Sequence, residues 1–110
     1  MSLLRSLRRR LTIAAVAANI APSVAVADAS HGEGLAHQWC AGCHGAGSNE
    51  PSPNPHAPGF STVANDPAAT EYSLHVFLQI PHDRMPNIIL TPDQIDDLVS
   101  YIETLKTRPR

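Results

Sequence analysis

The sequence predicts an all-α domain, and three observations lead there. Apolar residues recur at helical spacing around residues 35–39, 74–78 and 95–105. The last of these stretches opens on a full set of helix-start signals at Thr91, Pro92, Asp93 and Gln94. No run of strictly alternating polar and apolar residues marks a strand, and no internal repeat is visible.

Residues 1–27 read as an export leader. Arg5, Arg8, Arg9 and Arg10 form a basic start, an apolar stretch follows over residues 11–21, and Ala25-Val26-Ala27 fits the small-x-small rule for a leader peptidase. The stretch is short and broken by Asn19 and Pro22, which argues against a retained membrane anchor. Arg9-Arg10 hints at a twin-arginine leader, but its flanks fit poorly. The expectation is a general secretory signal cleaved after Ala27, delivering residues 28–110 to the periplasm as one domain without stable membrane insertion.

Cleavage changes the charge. The whole chain has a net charge of −2. Residues 28–110 keep 4 basic against 10 acidic groups, a formal −6. That balance argues against nucleic acid or an anionic membrane surface as partner and suits steering toward a basic docking patch.

Within the mature domain, the first helix is expected over residues 30–43, with Ser30 as N-cap and Leu35, Ala36 and Trp39 on its apolar face. Gly45 breaks it. Residues 45–59, rich in Gly, Ser and Asn and holding Pro51, Pro53, Pro55 and Pro58, read as a loop. A turn follows at Asp66-Pro67. A second helix near Thr70 carries Leu74, Phe77 and Leu78 on one face, and Pro81 ends it. In the last helix Thr91 is the N-cap and Pro92 the first helical residue, and Gln94 completes a capping box. Ile95, Leu98, Val99, Ile102 and Leu105 form the buried stripe, and Asp96, Asp97 and Glu103 face water.

A domain this small needs a staple beyond its own core. Only two cysteines are present, Cys40 and Cys43, and a bridge between them closes too small a loop to stabilise much. The segment Cys40-Ala41-Gly42-Cys43-His44 matches the covalent haem attachment pattern. Each thiol adds to one vinyl group of the porphyrin, and the histidine directly after the second thiol then reaches the iron from one face. Ala41 and Gly42 let the backbone lie against the porphyrin edge. Two rivals fit less well. A thioredoxin-like dithiol lacks its βαβ surroundings, and a zinc site lacks a second close pair of ligands, since His56, His75 and His82 are scattered.

A haem held by one histidine leaves a second axial position. An electron carrier usually fills it with Met or His, and Met raises the reduction potential. Met85 is the only methionine of the mature domain, and Pro86 stiffens the stretch that carries it. The bland reading is that Met85 fills core space. His82 is the main rival ligand, followed by His75 and His56, and Asn87 is a candidate donor near the sulfur.

These residues resemble the small bacterial class I cytochromes c, over essentially all of residues 28–110. The elements that carry the resemblance are Trp39-Cys40-Ala41-Gly42-Cys43-His44-Gly45, Ala57-Pro58-Gly59-Phe60, Met85-Pro86-Asn87 and the terminal segment over residues 98–105. The resemblance implies a cytochrome c fold of three to four helices wrapped around one haem c. Cys40 and Cys43 would form its thioethers, His44 the proximal iron ligand and Met85 the distal one. It further implies that the Pro58 carbonyl accepts the outer proton of His44, and that Gly32 lets the first helix cross the last at Tyr101. The sequence departs from the family in placing Pro58 before Gly59 and in its dense proline run over residues 51–55.

Three functions follow for comparison. The leading one is a soluble periplasmic monohaem electron carrier with no catalytic residue, monomeric and serving a dehydrogenase or an oxidase. The second is a haem-bearing electron-transfer subunit of a periplasmic oxidoreductase complex. The third is a ligand-binding or peroxidatic haem from which Met85 is absent.

Overall fold

A computed structural model describes residues 17–80 and 84–107. Residues 17–27 are extended and exposed, with Ile20, Val24 and Val26 in water. The basic start of the predicted leader and His82 lie outside the described residues. Among the described residues no helix is long and apolar enough to cross a membrane.

Four α-helices follow, and no strand occurs among the described residues: α1 (Ala29–Leu35), α2 (Phe60–Asn65), α3 (Glu71–Gln79) and α4 (Pro92–Thr104). The start of α1 differs from expectation. Its N-cap is Asp28, whose carboxylate accepts from the backbone N–H groups of Ser30 and His31, and Ser30 lies inside the helix. Its end differs too. After Leu35 the chain widens into a π-helical segment (Ala36–Cys40), closed by a bond from Ala41 N–H to the Ala36 carbonyl. The regular helix therefore stops at Cys40, short of Cys43. With Gly32 and Gly34 in one short helix, α1 has poor intrinsic propensity and depends on its cap and on packing.

That packing is against α4, in the most extensive helix pairing of the molecule. Gly32 makes the crossing possible, and the atoms nearest to it belong to Asp97 and Leu98. A Cβ at Gly32 would lie 2.0 Å from the Asp97 carbonyl oxygen and 3.0 Å from the Leu98 nitrogen, so the two backbones touch there. Asp97 does not face water either. Its Oδ1 accepts from Asp28 N–H at 2.6 Å, and its Oδ2 lies 2.6 Å from His31 Nδ1.

The sequence reading missed α2, a helix of 6 residues capped by Gly59 that follows directly on Pro58. It buries Phe60 and Ala64. α3 starts at Thr70, whose hydroxyl accepts from Ser73 N–H, and ends where Ile80 turns extended, as a residue before proline must. α4 has the predicted capping box: Thr91 Oγ1 accepts from Gln94 N–H, and Gln94 Oε1 accepts from Thr91 N–H. Ile95, Leu98, Val99 and Ile102 of its stripe are buried, Tyr101 joins them, and Leu105 is half-buried at the end. Together with Leu35, Ala36, Ala46 and Leu74 they complete a small core.

Candidate haem site

The helices and the segments between them line a half-open cavity of about 590 Å³. Close-packed interiors hold few voids larger than a water molecule, so a space of this size in so small a domain calls for an occupant. Cys40, Cys43 and His44 line it, together with Pro58, Phe60 and Val63. Leu74, Phe77 and Leu78 of α3, the Met85-Pro86 segment, and Leu98 and Ile102 of α4 line it as well. The lining is mostly apolar, which suits a flat apolar macrocycle.

The His44 wall is built by main-chain bonds. The N–H groups of Cys43 and His44 both donate to the Cys40 carbonyl, folding residues 40–44 into a tight turn. The loop over residues 45–59 is then tied back onto that turn. Asn54 N–H donates to the Cys43 carbonyl at 3.1 Å, Phe60 N–H to the Gly45 carbonyl at 2.8 Å, and Gly45 N–H to Ser52 Oγ at 2.9 Å. Gly45 is obligatory here, because a Cβ would fall 1.9 Å from the Glu50 carbonyl oxygen. Tyr101 donates its hydroxyl to the Ala46 carbonyl at 2.6 Å in a buried bond. Burial pushes the Tyr101 phenol up, helped by the nearby charges of Glu33 and Glu50, so it keeps its proton and its role as donor. No sequence signal marked the Tyr101–Ala46 bond, since its partners are far apart in the chain.

His44 Nδ1 lies 2.7 Å from the Pro58 carbonyl oxygen. A carbonyl only accepts, so Nδ1 carries a proton and donates it, which leaves Nε2 as the ring nitrogen available to a ligand. The ring also packs at a tilt against Phe60, with centroids 5.3 Å apart. Cys40 and Cys43 are unpaired thiols, and burial pushes the Cys40 thiol up. Among the described residues no strand frames the two cysteines as a thioredoxin-like site would. Among the described residues no three of His, Cys, Asp and Glu converge on one point, as a zinc site requires.

Of the candidates for the second ligand, Met85 is half-buried and lines the cavity. His56 lines it from an exposed loop position. His75 is turned away, with both ring nitrogens engaged: Nδ1 bonds the Glu71 carbonyl and Nε2 the Asp96 carboxylate. Asn87 is exposed beside the Met85 segment.

Comparison with known proteins agrees with this architecture. Residues 27–102 match the family described as cytochrome C oxidase, cbb3-type, subunit III. The chain belongs to this family of c-type cytochrome domains. Cytochrome c-552 of Bradyrhizobium diazoefficiens is 33% identical over 98 residues, which cover 89% of this chain and 94% of that protein. No solved structure matches the chain. The protein is a small class I monohaem cytochrome c with an all-α cytochrome c fold, it transfers electrons, and its cofactor is covalently bound haem c. The cavity and the Cys-x-x-Cys-His turn in its wall fit that group.

Proposed function

We propose that the protein is exported to the periplasm, loses residues 1–27, and carries one haem c joined to Cys40 and Cys43 with iron between His44 and Met85. The observation that carries this reading is that these four side chains line one mostly apolar cavity, Met85 half-buried there and the rival His56 on an exposed loop position. When bound, haem c supplies a one-electron iron couple. The protein's own part is to hold and shield it. The Pro58 carbonyl fixes the His44 tautomer and makes Nε2 a stronger donor, as partners of ligating histidines generally do. Met85 offers a neutral sulfur from a proline-stiffened segment, which raises the potential and leaves no vacant position for a substrate. Leu98 and Ile102, apolar and buried where they line the cavity, would help keep water from the group. No residue is assigned a catalytic role. The partners are redox proteins, a dehydrogenase or an oxidase, and the mature charge of −6 favours a basic docking surface.

Two measurements test the site. Haem should survive acid–acetone extraction, and loss of haem there overturns covalent attachment. The oxidised protein should show a far-red sulfur-to-iron band that vanishes in Met85→Ala. Its absence from the wild type, with ready carbon monoxide binding, overturns the assignment of Met85.

The description of the matched family as an oxidase subunit favours a second reading, in which the domain stays bound to a catalytic partner. Purification from the native membrane and soluble fractions separates the two. A free monomer supports the carrier, and co-purification with an oxidoreductase supports the subunit.

A further inference from the structure

We propose that Asp97 is the acceptor for the protein's own mature amino terminus, the α-ammonium that forms at Asp28 when the leader is removed. The inference rests on cleavage after Ala27 and adds a receptor for its product. Residues 17–27 are exposed and extended, and none of them bonds to the folded domain. The first group that does is Asp28 N–H, which donates to Asp97 Oδ1 at 2.6 Å across the α1–α4 crossing. The other Asp97 oxygen lies 2.6 Å from His31 Nδ1, and the carboxylate is only 14% exposed. The Asp28 bond, then His31, hold the Asp97 carboxyl below its ordinary range, so it stands ionised where the terminus forms.

The chemistry of processing sharpens the fit. A leader peptidase adds water across the Ala27–Asp28 bond: the Ala27 carbonyl carbon takes the oxygen and leaves as a carboxylate, and the Asp28 nitrogen takes protons and becomes an ammonium. That nitrogen is already in place, so a neutral amide donor turns into a cationic one against the same oxygen. Charge-assisted bonds are about twice as strong as neutral ones. A cation at the start of α1 is opposed by the helix dipole, and the carboxylates of Asp28 and Asp97 offset that cost. Cleavage one residue earlier leaves an amide at Asp28, and one residue later removes the N-cap. Only a cut after Ala27 gives both the cap and the ion pair, which clips the first helix to the last.

The test begins with the intact mass of the exported holoprotein, which should start at Asp28. A different start overturns this proposal together with the cleavage reading. Asp97→Asn is then made both in the native form and in a form with one extra alanine before Asp28, and unfolding is followed by haem absorbance. The substitution should lower the folding equilibrium constant about fivefold more in the native form, the difference between a charged and a neutral donor. Equal effects in both forms overturn the receptor and leave cleavage standing. Should Asp97→Asn not accumulate, carbamylation of the wild-type α-amine by cyanate decides: it should run at least about fivefold slower in the native holoprotein than in denaturant, and equal rates overturn the proposal.

Discussion

The wall of the cavity that carries His44 is tied down atom by atom, whereas the wall that carries Met85 is held by very little of its own. Residues 43–60 send or receive main-chain bonds at Cys43, Gly45, Ala46, Pro58 and Phe60, and Tyr101 locks the loop to α4. Among the described residues of 84–90, the one main-chain bond runs from Ile88 N–H to the Pro86 carbonyl and reaches no other element. Ile89 there is 88% exposed. The difference teaches how a small domain divides its labour. On the proposed assignment, the His44 side is organised by bonds within the polypeptide and would present His44 to the incoming cofactor. The Met85 side has few bonds of its own and would gain its position from the group proposed to fill the cavity, with proline limiting its freedom.

The sharpest way to break this contrast is at Gly45. In Gly45→Ala the new methyl meets main-chain atoms of Glu50 and Pro51, which have no flexible end to move aside. We expect a loss of about 3 kcal/mol, the upper part of the range for overpacking, read by denaturant unfolding, with a fall in holoprotein yield. Tyr101→Phe comes next. It leaves the buried Ala46 carbonyl without its donor, at a cost of about 1–3 kcal/mol. The far-red band should persist in Tyr101→Phe, since the distal wall is untouched.

The sequence revealed these two walls unequally. The Cys40–His44 spacing and the solitary methionine of residues 28–110 were legible because the chemistry demands particular residue types at particular separations. The α4 stripe and capping box were legible because they are local. What escaped was set by contacts distant in the chain. Asp97 lies next to polar Asp96 and reads as a solvent residue, until the close approach at Gly32 brings it onto Asp28. Ser30 is as good a cap by type as Asp28, and the first turn chose the residue whose N–H Asp97 also holds. α2 holds too few residues for a periodic pattern and exists because Phe60 and Ala64 pack into the core. The π-helical widening before Cys40 has no mark in composition at all.

On the distal side, Pro86→Ala sharpens the comparison. Proline limits the unfolded ensemble and restricts the backbone of Met85, which lies in a bend, so its replacement should lower stability by about 0.4–1 kcal/mol. The more telling readout is displacement of the sixth ligand. Imidazole or carbon monoxide should bind faster to Pro86→Ala than to the wild type, while Tyr101→Phe, although the more destabilising change, should leave that rate unchanged. Equal acceleration in both variants would show that the two walls are not independent.

The smallest effect concerns the tether between α3, which leads into the distal segment, and α4. His75 Nε2 lies 2.8 Å from Asp96 Oδ1. The Glu71 carbonyl at its Nδ1 raises the His75 pKa most, desolvation opposes this, and the bond and charge of Asp96 and the charge of Glu71 add to the rise. A histidine whose folded pKa lies above its unfolded one stabilises fully below the unfolded value near 6.5, and that contribution fades as pH climbs through the raised folded value. The pair is open to water on the Asp96 side, so the contribution is below about 1 kcal/mol. Stability should therefore fall slightly from mildly acidic to mildly alkaline pH, and His75→Asn should flatten that slope. Because α3 leads toward the Met85 segment, the same rise in pH should quicken exogenous ligand binding at the position proposed for Met85. It should leave the His44–Pro58 bond unchanged. A pH effect on that bond, seen as a shifted Nδ1 proton resonance of His44 over the same range, would place the tether in both walls and dissolve the contrast.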